Sequence, residues 1–113
     1  MSAMFFRKDK DNQYVRSAIQ YIATGFNRNL TLNEVAQYVK LSPNYFSTLF
    51  HDTTGISFSK YLNRVRVEES KRLLLSSDYT LAEIAVAVGF PDQSYFSKVF
   101  KKETGITPGM FRN

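Results

Sequence analysis

Hydrophobic positions along this chain recur at helical spacing and then stop at residues that end helices. From Asn12 to about Thr24 the apolar positions are Val15, Ala18, Ile19 and Ile22. Their i, i+3, i+4, i+7 spacing predicts an amphipathic helix, and Gly25 stands where a glycine ends one. Thr31 with Glu34 three residues on forms a capping-box pattern, followed by Val35, Ala36 and Val39. Ser42 is the next N-cap candidate, with Pro43 at the first helical position, where its missing N–H costs nothing. That helix runs to about Thr53 and stops near Gly55. Its apolar face is Phe46, Leu49, Phe50 and Thr53, with Tyr45 at the edge. Ser57 to Ser76 is predicted as the longest helix, buried along Phe58, Tyr61, Leu62, Val65, Leu73 and Leu74. Thr80 and Glu83 repeat the capping box, and that helix ends at Gly89. Asp92 caps a helix reaching Thr104, and a last turn spans Pro108 to Arg112. No run alternates with period two, so no sheet is predicted and the chain reads as all-α.

The pattern occurs twice. Thr31, Leu32, Glu34, Ala36, Val39, Tyr45, Phe46, Ser47, Phe50, Thr54, Gly55 and Ile56 reappear as Thr80, Leu81, Glu83, Ala85, Val88, Tyr95, Phe96, Ser97, Phe100, Thr104, Gly105 and Ile106. The offset is 49 up to Asn44/Gln93 and 50 from the tyrosines on, which marks Ser94 as a one-residue insertion. A repeat of this period is one supersecondary unit used twice. Each unit is a short helix, a tight turn and a second helix, the form of a DNA-reading helix-turn-helix. Ala36 and Ala85 suit a close helix crossing. Gly89 follows Ala85 by four residues, where positive φ is expected. Lys40 holds that place in the first copy and predicts a more strained or differently shaped turn.

The outward faces narrow the chemistry. Asn44, Ser47, Thr48 and His51 fall at i, i+3, i+4, i+7, opposite the apolar face. The second copy exposes Gln93, Ser94, Ser97, Lys98 and Lys101. An ordinary solvated face would carry mixed Glu and Lys. These are small hydrogen-bonding groups, and Gln, Lys, Ser and Asn all have base-edge partners in the major groove. Phosphates call for helix N-termini and mobile cations. Thr31, Ser42, Ser57 and Thr80 open helices, while His51, Lys60, Arg64, Lys101 and Lys102 are candidate backbone contacts.

Composition adds a few bounds. The chain has 113 residues, 43% of them hydrophobic, enough for one or two small cores. A net charge of +5 and a pI near 9.6 favour a polyanionic partner. Cys is absent, which excludes disulfides and cysteine metal sites and fits a reducing cytoplasm. No apolar run reaches the roughly 18–20 residues of a membrane span, and Met4-Phe5-Phe6 is too short for a secretion signal. Residues 1–11 read as a tail or linker stub. His51 is the only histidine and has no metal-binding company, and no Gly-rich phosphate loop is present. No nucleophile–base set emerges, so no catalytic, metal or cofactor residue is assigned.

Residues 12–113 then resemble the DNA-binding domain of the AraC/XylS family of bacterial transcription regulators. The likeness rests on Arg66, Leu73-Leu74, Ile84-Ala85, Gly89-Phe90, Tyr95-Phe96-Ser97, Phe100-Lys101-Lys102, Thr104-Gly105 and Thr107-Pro108, in the family's order and spacing. It departs where Ser70 replaces a small apolar residue, where Gly109-Met110-Phe111-Arg112 replaces the usual Ser-x-Tyr-Arg ending, and where the first recognition helix lacks Arg and Lys. The resemblance implies two helix-turn-helix subdomains, 12–56 and 77–113, joined by a long central helix, 57–76. It implies base readout by Asn44, Ser47 and Thr48 in one major groove and by Gln93, Ser94, Ser97 and Lys98 in the next. It implies double-stranded DNA as partner; with the residue readings above, a cytoplasmic location, no enzymatic activity, no cofactor and no membrane are expected. A sensor or receiver domain often precedes such a domain, and RNA polymerase is a further candidate partner. The segment from Asn12 to Ala23 resembles the entry helix of response regulators with this output domain. The rival from another class is a helical protein-interaction module without DNA binding.

Overall fold

The computed structural model describes the backbone from Ala3 and the side chains from Lys10 to the C-terminal Asn113. Seven helices follow in order: α1 (Ala3–Gly25), α2 (Leu32–Tyr38), α3 (Pro43–Thr54), α4 (Phe58–Ser76), α5 (Leu81–Ala87), α6 (Gln93–Thr104) and α7 (Pro108–Arg112). No strand occurs among the described residues. Helix α1 begins nine residues earlier than its apolar periodicity starts, so the backbone of residues 3–11 is helical. The polar segment around Asp9, Lys10 and Asp11 satisfies its backbone within the helix whether or not an apolar face continues, and periodicity detects only the face. The remainder of the expected tail or linker stub, Met1 and Ser2, lies outside the described residues.

The chain forms two compact units. One contains α1 and Leu30–Tyr61; the other contains Phe26–Asn29 and Leu62–Asn113. The division falls inside α4, so this helix contributes to both cores.

In the first unit α1 packs on α2 and α3. Val15, Ala18 and Ile22 are buried with Val35, Ala36, Val39, Phe46, Leu49, Phe50 and Phe58. Phe50 is the centre of the aromatic packing, with ring centroids 5.7 Å from Phe46, 6.0 Å from Phe58 and 5.3 Å from Tyr61. Such tilted and edge-on pairs add roughly 0.5–1.5 kcal/mol each to the burial of the rings. Thr53, expected on the apolar face, is exposed.

The second unit buries Val67, Leu74, Ile84, Ala85, Val88, Phe90, Phe96 and Phe100, with Phe111 5.5 Å from Phe100. The α4 face differs from the apolar reading. Arg66 and Ser70 are buried, whereas Val65 and Leu73 are half-buried. Both polar side chains are satisfied. The Arg66 guanidinium donates to the carbonyls of Phe26 at 2.8 Å and Arg28 at 2.9 Å, and lies 5.7 Å from the Phe90 ring centroid. Burial pushes its pKa down from the ordinary arginine value, with the nearby Tyr95 opposing. Ser70 donates to the carbonyl of Val67 at 2.6 Å, so a hydroxyl fits where the family pattern has an apolar residue. Arg112 closes the chain by donating to the carbonyls of Leu74, Ser77 and Tyr79.

The helix-to-helix turns are built alike. Leu41 N–H bonds Ala36 C=O and Phe90 N–H bonds Ala85 C=O, both at 2.9 Å. This is the six-to-one bond of a Schellman ending, which puts the preceding residue in the left-handed region. Gly89 takes φ 101° there and Lys40 takes φ 65°. Lys40 is the sole non-glycine with positive φ among the described residues, a conformation that costs a side-chain-bearing residue about 1–2 kcal/mol. Glycine is obligatory at 89 for a second reason. A Cβ there would collide with the Phe26 carbonyl oxygen and stand 2.8 Å from Arg66 Nε.

The turns also relocate the insertion. Val39, Lys40 and Leu41 match Val88, Gly89 and Phe90 at an offset of 49, but the N-caps Ser42 and Asp92 match at 50. The extra residue is therefore Pro91, in the turn, and not Ser94. Asn44 corresponds to Ser94, and Pro43 to Gln93. An insertion inside α6 would rotate every later residue by about 100°, whereas a turn absorbs it. The likeness of Asn44 to Gln93 is a coincidence of residue type, not of position.

Candidate nucleic-acid interface

Helices α3 and α6 are each 12 residues long and share the same end chemistry. Ser42 accepts the Tyr45 N–H at 3.3 Å, and Asp92 accepts the Tyr95 N–H at 2.8 Å. At the other end Thr54 donates to Phe50 C=O at 2.8 Å and accepts the Ile56 N–H at 3.3 Å; Thr104 repeats both distances with Phe100 and Ile106. Gly55 and Gly105 close the helices at φ 84° and 87°. The lengths, ends and buried rings thus hold corresponding outward positions in the same frame: Asn44/Ser94, Ser47/Ser97, Thr48/Lys98 and His51/Lys101.

The structure leaves Asn44, Ser47, Thr48 and His51 exposed on α3, and Gln93, Ser94, Lys98, Lys101 and Lys102 exposed on α6; Ser97 is half-buried. Gln93 opens α6 at its first position, directly after the Asp92 cap. His51 Nδ1 is 3.9 Å from Asp52 Oδ1, with both side chains mostly in water. That is a loose surface pair, without the hydrogen bond that would activate a base.

The four expected phosphate-facing hydroxyls all cap helices. Thr31 accepts the Glu34 N–H, Ser42 that of Tyr45, Ser57 that of Lys60 and Thr80 that of Glu83. Each hydroxyl hydrogen remains as a donor. The reciprocal half of the capping box forms at Thr80, whose N–H reaches Glu83 Oε1 at 2.8 Å. In the first copy the Glu34 carboxylate takes the hydroxyl of Tyr21, whose ring stacks on Tyr38. Lys60 is exposed. Arg64 is held: its Nε donates to Glu103 Oε1 at 3.1 Å. The carboxylate stands on the flank of α6, a long-range pairing with no trace in helical spacing.

The tyrosines beside the reading faces are anchored differently. Tyr45 donates to Asp11 Oδ1 at 3.3 Å, so α1 reaches α3. Tyr95 accepts from Asn63 Nδ2 at 3.5 Å and packs edge-on against Phe90. Among the described residues no cluster of His, Cys, Asp or Glu could hold a metal, and no helix is long and apolar enough to cross a membrane.

Two helix-turn-helix units with outward-facing hydrogen-bonding recognition helices define a DNA-binding domain of a transcription regulator. The comparisons make the class specific. A helix-turn-helix domain family matches residues 35–113. The arabinose operon regulatory protein of Escherichia coli K12 is 43% identical over 103 residues, 90% of this chain and 35% of that protein. The C-terminal domain of AraT, a response regulator from Geobacillus stearothermophilus, superimposes with a TM-score of 0.84 at 42% identity, covering 88% of this chain and 83% of that one. The DNA-binding domain of AdpA, solved in complex with a target DNA, shares the fold with a TM-score of 0.82 at 23% identity, covering 87% of this chain and 88% of that one. The chain belongs to the AraC/XylS family of helix-turn-helix regulators. It spans between about a third and a half of the length of the curated relatives it matches.

Proposed function

We propose that this chain is the DNA-reading output module of a longer bacterial regulator, acting in the cytoplasm on double-stranded DNA. Helix α3 reads one major-groove segment with Asn44, Ser47 and Thr48. Helix α6 reads the adjacent segment with Gln93, Ser94, Ser97 and Lys98. Thr31, Ser42, His51, Ser57, Lys60, Arg64, Thr80, Lys101 and Lys102 contact the phosphates. The observation that carries this reading is the repeated frame: two helices of equal length, with side-chain N-caps and the same threonine and glycine ending, present polar groups at the same outward positions. Phosphate contacts set register and base contacts set sequence, and both kinds of donor occur in each unit.

The chain itself has no catalytic role in this reading. A sensor or receiver domain elsewhere in the full protein supplies the signal, in keeping with the response-regulator origin of the AraT domain. RNA polymerase is the partner through which bound DNA becomes transcriptional control. The test is a duplex titration at two salt concentrations. With about 5–7 phosphates neutralised, the log–log slope of affinity against salt is expected near −5 to −6. A flat response would favour a helical protein-interaction module instead.

A further inference from the structure

The left-handed turn in the first unit is occupied by a lysine, and the second unit shows the residue such a turn ordinarily takes. Lys40 and Gly89 hold the same place in two identically bonded turns, at φ 65° and 101°. At 89 the surrounding backbone excludes any side chain. At 40 the side chain is exposed to solvent, and the backbone bears the strain of carrying it. Non-glycine residues persist in this conformation where something other than the turn retains them. Lys40 forms no ion pair among the described residues, whereas Arg64, Lys71 and Arg72 each hold a glutamate.

Charge points to what retains it. Residues 43–57, which contain all of α3, include one formal charge, Asp52, and neither Lys nor Arg. The corresponding residues 93–107 carry Lys98, Lys101 and Lys102 against Glu103. Ser42 and His51 offer neutral donors to a phosphate, so a cationic contact for this recognition helix has to come from beside it. Lys40 stands two residues before the N-cap of α3, at the end of the helix where backbone N–H groups already favour an anion. We infer that Lys40 is a DNA-backbone contact of the first unit, a phosphate-binding residue held in a strained turn because α3 brings no cation of its own. The inference rests on the DNA-reading function proposed above.

The experiment compares Lys40→Gly, Lys40→Gln and Lys40→Arg with the unaltered chain. Each is titrated with a selected duplex and a random duplex at about 50 and 200 mM salt, and its thermal midpoint is measured. Lys40→Gly and Lys40→Gln are expected to weaken both duplexes alike. The ratio of unaltered to variant affinity should shrink about threefold between the two salts, the signature of one lost phosphate contact. Lys40→Arg should bind within about twofold of the unaltered chain, because phosphate contacts depend on the cation. Lys40→Gly should melt at a higher temperature as the strain is relieved. Unchanged affinity and slope in Lys40→Gly or Lys40→Gln would overturn the inference. So would equal losses in Lys40→Gly and Lys40→Arg, or a Lys40→Gly chain that melts below the original. Should the unaltered chain itself bind duplex without salt dependence, the function fails and this contact fails with it.

Discussion

The two helix-turn-helix units share a scaffold and differ in what they carry on it. Phe46 and Phe50 correspond to Phe96 and Phe100, all fully buried. The Thr54 and Thr104 bonds agree to the tenth of an ångström. The departures lie on the outside and in the turn: Thr48 against Lys98, His51 against Lys101, Asp52 against Lys102, Lys40 against Gly89. Formal charge is −1 over residues 43–57 and +2 over residues 93–107. Packing therefore constrains what must be repeated, while solvent-facing positions are free to diverge, and divergence there is where two reading helices acquire different sites.

The largest expected effect probes the shared scaffold. Phe50→Ala and Phe100→Ala should each cost about 3–5 kcal/mol, read from denaturant midpoints. Midpoints that move in only one variant would show that the two cores are not equivalent. Next in size is the turn. Gly89→Ala combines positive φ with a collision against the Phe26 carbonyl and should cost about 3 kcal/mol. A loss below about 1 kcal/mol would mean that the Phe26–Asn29 segment yields to the added methyl.

Smaller effects test the reading faces. Lys98→Ala should weaken a selected site by about 1–3 kcal/mol more than a random duplex if it reads a base, whereas Lys102→Ala should weaken both equally and reduce the salt slope by about 1. On the charge difference, paired substitution of Gln93 and Lys98 should cost more affinity than that of Asn44 and Thr48. The reverse order, measured on sites scrambled in one half at a time, would show that hydrogen-bonded readout in the first segment outweighs phosphate attraction in the second. The smallest effect tests the symmetry itself. Thr54→Val and Thr104→Val each remove a helix-end hydroxyl and should cost about 1 kcal/mol, with the two values agreeing closely.

The sequence alone determined the helix succession, because apolar spacing, N-cap residues and glycine stops are local signals that each helix carries in itself. It also determined the repeat, the buried phenylalanines and the polar outward faces of α3 and α6, since those follow from a period of 3.6 residues. The fold class and the family were legible for the same reason. What the tertiary structure alone decided concerns residues whose partners are distant in the chain. Arg66 is buried because the Phe26 and Arg28 carbonyls, 40 and 38 residues away, receive its guanidinium. Arg64 is tied to Glu103 across 39 residues. Residues 3–11 are helical although no apolar stripe announces it. The placement of the extra residue at Pro91 required the hydrogen bonds of both turns, since identity matching could not tell an insertion in the turn from one in the helix. Spacing along a chain records which face a side chain occupies; only packing records what meets it there.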